Sequence, residues 1–276
     1  MLSRIIIGVD VGISTTKIVG IRNGKVLAPV GITATDPVSS LYGAFGKYLY
    51  DNDIKLDDIE KVMITGVGAG YVKPEIFGCL TEKVDEYVAD ALGAAYKSEL
   101  DKMIVVSMGT GTTYVKKVGD KIEHLGGIGL GGGALQGLSR VILKTDNIKE
   151  VEKMAEKGDI SKVDLLIGDI SKSPLPNLPV DVTASLLAKV QTNSRQEDLA
   201  LGIIHAVLQT IGSCAVFTAL HTDIKNFVMI GNLSLLPQCK MAFAELERLY
   251  GVRFHIPPYS QFRTAIGAAL YGIKAE

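Results

Sequence analysis

Apolar residues come along this chain in short β-branched runs, cut by glycine and small polar residues, and that punctuation predicts strands joined by tight loops. Residues 4–11, RIIIGVDV, read as a buried strand. Residues 16–22 (TKIVGIR) and 25–30 (KVLAPV) read as two more, with Asn23-Gly24 as the hairpin turn between them. Helical spacing follows over 40–50, a short strand over 61–65 and an Ala-rich helix over 82–96. The grammar then recurs: a buried strand over 103–108, a polar loop Gly109-Thr110-Gly111-Thr112, and hairpin strands over 113–118 and 121–125 around Gly119-Asp120. This is a repeat of supersecondary pattern, not of sequence, and it predicts an internal structural duplication.

The rest of the chain is mainly helical. A Gly-rich stretch, 126–133, leads into a helix over 134–143, with further helices over 148–157 and 161–167. Three prolines within 173–180 predict an extended loop. A helix is expected to start at Asp181, and a long one runs over 196–220, with Ser194 and Glu197 suited to a capping box. A strand over 226–230, a helix over 235–249, a strand over 252–256 and a helix over 263–271 close the pattern. A boundary near Glu99-Leu100-Asp101 divides it into lobes of residues 1–99 and 100–276.

Composition narrows the class. At 276 residues, with 47% hydrophobic and 21% charged, the chain can bury one large core or two ordinary ones without staples. Lys and Arg total 29 against 30 Asp and Glu, a net charge of -1, which argues against a nucleic-acid partner. Cys79, Cys214 and Cys239 lie far apart with no CxxC, so neither a disulfide framework nor a structural zinc site is expected. No wholly apolar run reaches the roughly 18 residues of a membrane span. The opening MLSRIIIGVDVG ends in Asp10 and Gly12 instead of a cleavage site, so a cytoplasmic location is expected. Residues 199–220 are almost uninterruptedly apolar apart from His205 and Gln209, which predicts a buried helix or a subunit interface. His205, His221 and His255 are dispersed and read as structural.

Four stretches carry candidate chemistry. Asp10-Val-Gly12-Ile-Ser14-Thr15-Thr16-Lys17 puts a carboxylate at a strand end, facing a magnesium ion, with three hydroxyls and a lysine as phosphate donors; a polar hairpin with an N-capping Asp fits the same residues. Gly109-Thr110-Gly111-Thr112 is either an anion-binding loop or an ordinary turn, and gains weight from the matching loop after the first strand. Gly131-Gly132-Gly133 falls at a predicted helix N-terminus, suited to an anion or to close helix packing. It fits neither a Rossmann fingerprint nor a P-loop. Gly231-Asn232 ends a buried strand, where Gly231 would let a flat adenine ring approach the backbone or simply make a turn capped by Asn.

The DVGISTTK loop, the second strand and hairpin with GTGT, GGIGLGGG, the Asn-ending strand and the AIGAAL helix occur in an order that resembles the sugar kinase, Hsp70 and actin superfamily. Within it the sequence looks most like the type II (eukaryotic-like) pantothenate kinases, through SMGTGTT, GGIGLGGGALQGL, the long helix and NFVMIGNLS. The resemblance covers essentially the whole chain. It implies an α/β fold of two ribonuclease-H-like (actin-like ATPase) lobes, with mixed sheets flanked by helices and the nucleotide in the cleft between them. It implies an ATP- and magnesium-dependent homodimeric kinase that phosphorylates the primary hydroxyl of pantothenate, the first step toward coenzyme A. Glu86, in VDEYVADALGAA, matches the family's general base. His124 stands where the family commonly has a substrate-contacting Arg, and Ile13 where a second Gly is usual; these departures bear on the acceptor, and Arg263 is a candidate replacement cation. Other alcohols, a sugar kinase and a non-catalytic sensor stay open. So does an activator ATPase of acyl-CoA dehydratases, although the three cysteines lack the arrangement of an iron–sulfur cluster.

Overall fold

The computed structural model describes residues 4–13, 15–33, 36–171, 173, 175–176 and 178–274. In the first sheet, β1 (Ile5–Val11) pairs antiparallel with β2 (Thr15–Arg22), which turns at Asn23 into the two-residue β3 (Lys25–Val26); β4 (Val30–Thr33) also pairs with β2. What reads as one strand over 25–30 is thus two short ones. After α1 (Pro37–Asp51), β5 (Ile59–Thr65) lies parallel to β1, and the hairpin of β6 (Glu75–Ile76) and β7 (Cys79–Lys83) continues the sheet in the order β3-β2-β1-β5-β7-β6. The β7 strand absorbs Glu82 and Lys83, so α2 (Glu86–Ala95) starts later than its Ala-rich spacing predicts, with Asp85 as N-cap.

The second sheet repeats the plan. The strand β8 (Lys102–Met108) pairs antiparallel with β9 (Thr112–Val118), which pairs with β10 (Lys121–Ile128); α3 (Gly132–Ile142) and α4 (Ile148–Ala155) follow. A side excursion holds β11 (Leu165–Leu166), α5 (Ile167–Ile170) and β12 (Thr183–Ser185), and then α6 (Gln196–Thr218), β13 (Asn226–Ile230), α7 (Cys239–Tyr250), β14 (Arg253–His255) and α8 (Arg263–Lys274) complete the fold. The sheet order is β10-β9-β8-β13-β14, with β13 parallel to β8 and β14 parallel to β13. Each sheet therefore sets an antiparallel hairpin beside its first strand on one side and parallel strands on the other, which is the duplication that the strand–loop–hairpin grammar predicts.

Three helical expectations change in the excursion and beyond it. Residues 161–167 form a 3-10 turn and then β11, and Asp181 opens no helix because Thr183–Ser185 pairs with β11. Buried Asp164 organises this segment: it accepts from the Thr183 hydroxyl and the Leu187 amide, and pairs with His205 Nδ1 at 2.9 Å on α6. Ser194 accepts from the Gln191 amide instead of capping α6, whose N-cap is Arg195. Pro237 holds Leu236 extended, so a 3-10 turn (Asn232–Leu235) precedes α7 where a single helix over 235–249 is expected.

Packing arranges the elements in layers. The α1 residues Leu41, Phe45 and Tyr48 cover one face of the first sheet, and Ala265, Ile266, Ala268 and Ala269 of α8 cover the other. Ala91 and Ala94 of α2 pack on Met103, Val105 and Val228 of the second sheet, whose far face is buried by α3, α4, α6 and α7. A division at residues 99–101 separates the strands of the two sheets, yet α8 crosses back to lie on the first sheet. By length and composition α6 is the one helix, among the described residues, that is apolar enough to cross a bilayer. Here Leu201, Ile204, Leu208 and Ile211 are core residues, so burial within the chain accounts for its apolarity.

The two central helices meet backbone to backbone. A methyl group on Gly93 would overlap the Arg263 carbonyl, and one on Gly267 would overlap the Ala89 carbonyl. Gly43, on the exposed side of α1, has nothing within 4 Å of its would-be Cβ. Gly267→Ala is therefore expected to lower unfolding stability by about 1–3 kcal/mol through forced separation of α2 and α8. Gly43→Ala is expected to raise it by about 0.5–1 kcal/mol through helix propensity. Urea denaturation of the two variants reads both signs.

Candidate functional site

The chemistry of the cleft starts with strand register. Asp10 and Lys17 are direct cross-strand partners on β1 and β2, so both side chains leave the sheet on the same face at its end, and Lys17 Nζ lies 3.4 Å from Asp10 Oδ2. Both are almost wholly buried. Thr15 shares that face by alternation. Thr16 points the other way, into the core, and its hydroxyl finds no partner among the described residues. Ser14 lies outside the described residues. Gly66, at the end of β5, has φ 88°, and a Cβ there would stand 2.8 Å from Asp10 Oδ1 and 2.7 Å from the Val11 carbonyl. Glycine at that position lets the sheet close tightly around the Asp10 carboxylate.

The second sheet presents its own loop across the cleft. The Gly109–Thr112 loop rests on the N-terminus of α3: the Gly132 amide donates to the Gly109 carbonyl at 2.8 Å and the Gly133 amide to the Thr110 carbonyl at 2.9 Å. A Cβ on Gly131 would come within 2.6 Å of the Thr110 carbonyl. These glycines thus serve close packing of loop on helix, and two of the amides expected to meet an anion are already taken. The Thr112 hydroxyl donates to the Leu130 carbonyl at 2.8 Å and ties the same two segments together. Gly231 repeats Gly66, with φ 90° and a would-be Cβ against the Met108 carbonyl. Its glycine answers to the neighbouring β8 backbone. Asn232 reaches across the cleft, its Nδ2 3.5 Å from Thr15 Oγ1.

Between the two loops lies a cavity of about 850 Å³. Of the residues singled out in the sequence, Asp10, Gly12, Thr15, Lys17, Glu86, Gly109, Thr110, Gly111, Thr112, Gly132, Gly133, Gly231 and Asn232 line it, while Thr16, Gly131 and His124 do not. His124 is an exposed residue of β10 whose ring stacks on Tyr87, centroids 5.6 Å apart. Arg263 is buried and fully engaged: it donates to the carbonyls of Pro258, Gly93 and Tyr96, so it seals the end of α2 and supplies no cation to the cavity.

Glu86 occupies the first position of α2 at the cavity wall. Burial pushes its carboxyl above the usual carboxylate range, nearby Asp10 adds to the rise, and Lys17 opposes it. One turn further along α2 is Asp90, which the sequence alone does not single out. It has no exposure, accepts the Thr264 hydroxyl from α8 at 2.6 Å, and is pushed up to about 7 by burial, with Glu86 and then Asp10 reinforcing the shift. Only its spacing of four from Glu86 could have signalled it. The other wall, carrying Gln136, Ile148, Lys149, Glu152, Leu235 and Leu236 from α3, α4 and the turn after β13, also escapes sequence reading because no motif marks it.

Among the described residues no group of three His, Cys, Asp or Glu side chains is placed to hold a metal ion. A lone carboxylate beside an open cavity fits magnesium, which keeps most of its waters and takes its remaining oxygens from a nucleotide. The cations of the cavity wall are Lys17, placed at the loops for a polyphosphate, and Lys149 on the other wall.

Comparison with known proteins agrees with this geometry. The sequence model of the Fumble family matches residues 94–244. A type II pantothenate kinase of Staphylococcus aureus (strain MRSA252) is 28% identical over 226 residues, covering 78% of this chain and 84% of that protein. The activator of the 2-hydroxyisocaproyl-CoA dehydratase from Clostridium difficile, solved with bound ADPNP, superposes with a TM-score of 0.70 at 18% identity, covering 98% of this chain and 95% of that one. A ROK family glucokinase from Streptomyces griseus, in complex with glucose and AMPPNP, superposes with a TM-score of 0.57 at 15% identity, covering 97% and 98%. The α/β fold is that of actin-like ATPases and sugar kinases.

The raised carboxyl of Asp90 has a consequence for stability. The folded protein keeps a proton there that the unfolded chain gives up near pH 4, so this group favours folding most below about pH 4. Its contribution is lost as pH rises through about 7. Between about pH 5 and about pH 8 the wild-type Tm is expected to fall by several degrees more than that of Asp90→Asn, whose side chain does not titrate. Thermal melts of the two proteins in matched buffers measure the difference.

Proposed function

The chain belongs to the Fumble family of type II pantothenate kinases, and on that premise we propose that it transfers the γ-phosphoryl group of ATP to the primary hydroxyl of pantothenate. The observation that carries this reading is the meeting of Glu86 with Asp10, Lys17 and the Gly109–Thr112 loop in one cavity. Phosphoryl transfer asks little covalent chemistry of a protein: it needs an alcohol held in line, a base for its proton and neutralised phosphate charge. The nucleotide lies with its phosphates between the two loops, Lys17 at the transferred group and Thr15 and Thr110 on the phosphate oxygens, while Thr112 braces the second loop through the Leu130 carbonyl. Its adenosine lies toward the wall of Gln136, Lys149 and Leu236. Asp10 would hold magnesium, which would neutralise part of the phosphate charge.

Glu86 takes the proton of the substrate hydroxyl as its oxygen bonds to the γ-phosphorus, and the bond from that phosphorus to ADP breaks. A carboxylate with a raised pKa is the stronger base for this step, provided the pH keeps it ionised. His124, stacked on Tyr87, stands outside the cavity, and an imidazole lacks the two-pronged donor geometry of the family's Arg. A second reading, the dehydratase activator, draws on fold likeness alone, and the cysteines do not favour it. Cys214 lies within α6, and buried Cys239 donates to the Leu233 carbonyl.

The test is ADP release from Mg-ATP, with and without pantothenate. Pantothenate-dependent turnover is expected, rising with pH through a single titration above the usual range of a glutamate, since the protonated base is inactive. Glu86→Gln is expected to lower turnover by about 10²–10⁴-fold while ATP still binds. Turnover by the wild type that ignores pantothenate would sink the substrate, and near-normal turnover by Glu86→Gln would sink the base.

A cytoplasmic homodimer completes the proposal. The support is the exposed apolar end of α6, where Phe217 meets Tyr250 edge-on and Leu220 stands in solvent. Light scattering at micromolar protein is expected to give twice the mass of the 29.5 kDa chain; a monomer mass rejects the dimer.

A further inference from the structure

Asp90 has no part in the transfer just described, yet it is the most deeply buried acid at the site. The groups that face it are Glu86 on its own helix, Asp10 on β1, Ser107 on β8 and Thr264 on α8, with no cation among them. Oδ1 accepts the Thr264 hydroxyl at 2.6 Å, and Oδ2 makes no hydrogen bond of ordinary geometry. The backbone contact of Gly93 and Gly267 fixes α2 and α8 against each other, so this bond is held on both sides by rigid helices. Thr264 and Ser107 line the cavity, and Asp90 stands behind them.

A hydroxyl has one proton to give. Because Thr264 gives its proton to Asp90, it meets the cavity only with lone pairs. A proton on Oδ2 would leave Oδ1 accepting, so the direction of the bond survives titration of Asp90. We propose that Asp90 is a positioning residue that fixes Thr264 as a hydrogen-bond acceptor in the cavity wall, and that Thr264 takes a second donor of the phosphoryl acceptor, close along the molecule from the hydroxyl that reacts. The proposal rests on the kinase reading above and names the recognition it requires. Glu86 holds the reacting hydroxyl, and the Asp90–Thr264 pair is set one helical turn, about 5.4 Å, further along α2. Two hydroxyls on carbons separated by one other carbon span such a gap, and pantothenate carries that arrangement in its primary and secondary hydroxyls.

The test compares kcat/KM for pantothenate and for its deoxy analogue, which lacks the secondary hydroxyl. The wild type is expected to prefer pantothenate by about 10–100-fold, because the analogue leaves a buried acceptor unpaired. Thr264→Val is expected to abolish that preference by losing turnover on pantothenate alone, with KM for ATP unchanged, while Thr264→Ser keeps it. Asp90→Leu is expected to reproduce the loss, and the double variant Asp90→Leu/Thr264→Val to be no worse than the more impaired single. Should Asp90→Leu fail to fold, the two Thr264 variants decide alone. Wild-type turnover with Thr264→Val still selective, or equally impaired on both substrates, overturns this proposal and leaves the kinase reading standing. Wild-type protein inert toward both substrates overturns the kinase reading and this one with it.

Discussion

Everything at the cleft hangs on how closely two helices approach. The α2 and α8 backbones touch at Gly93 and Gly267, and α8 in turn lies so near β1 that a Cβ on Gly8 would strike the Ala265 carbonyl. Small residues at these positions bring three elements from distant parts of the sequence into one rigid stack. That stack sets Glu86 at the cavity wall and Asp90 against Thr264, and it aims β1, with Asp10 at its end, into the same space. Larger side chains would have gained apolar burial in the crossing, but would have moved Glu86 away from the Asp10 carboxylate and the Lys17 ammonium that shift its titration.

The duplication explains both the symmetry of the site and its division of labour. Gly66 and Gly231 end equivalent parallel strands with nearly the same φ, each pressed on the end of the neighbouring first strand. Equivalent places on β1 and β8 carry Asp10 and Ser107: the scaffold is shared, and one copy brings the charge while the other brings neutral hydroxyls. The loops differ in the same sense. The first is built around Lys17, and the second is a backbone cradle stitched to α3 by the Gly132 and Gly133 amides.

Much of this was legible in the sequence because it is local. The strand–loop–hairpin units announce themselves through alternation and through Asn23-Gly24, and Asp10 and Lys17 are partners of one hairpin. The order of motifs carries the family and points to Glu86. What was not legible depends on contacts between remote segments. Nothing near Thr16 says that it faces the core until the β1–β2 register is known. Gly131 to Gly133 look like an anion site, although the Gly109–Thr112 loop has claimed two of their amides. Arg263 looks like a free cation until α2 supplies the carbonyls that hold it. The partner of Asp90 is Thr264, 174 residues away, and no local pattern announces that bond.

The crossing helix also bears on how the protein is made. The strands of the first sheet are all synthesised by residue 83, but the helix that covers one of its faces is residues 263–274. On the ribosome that apolar face, with Val19, Ile21 and Met63, stays uncovered while nearly two hundred further residues emerge. The nascent chain thus carries an exposed sheet that a chaperone can recognise, and the wall that holds Glu86 and Asp90 is not assembled until α8 docks.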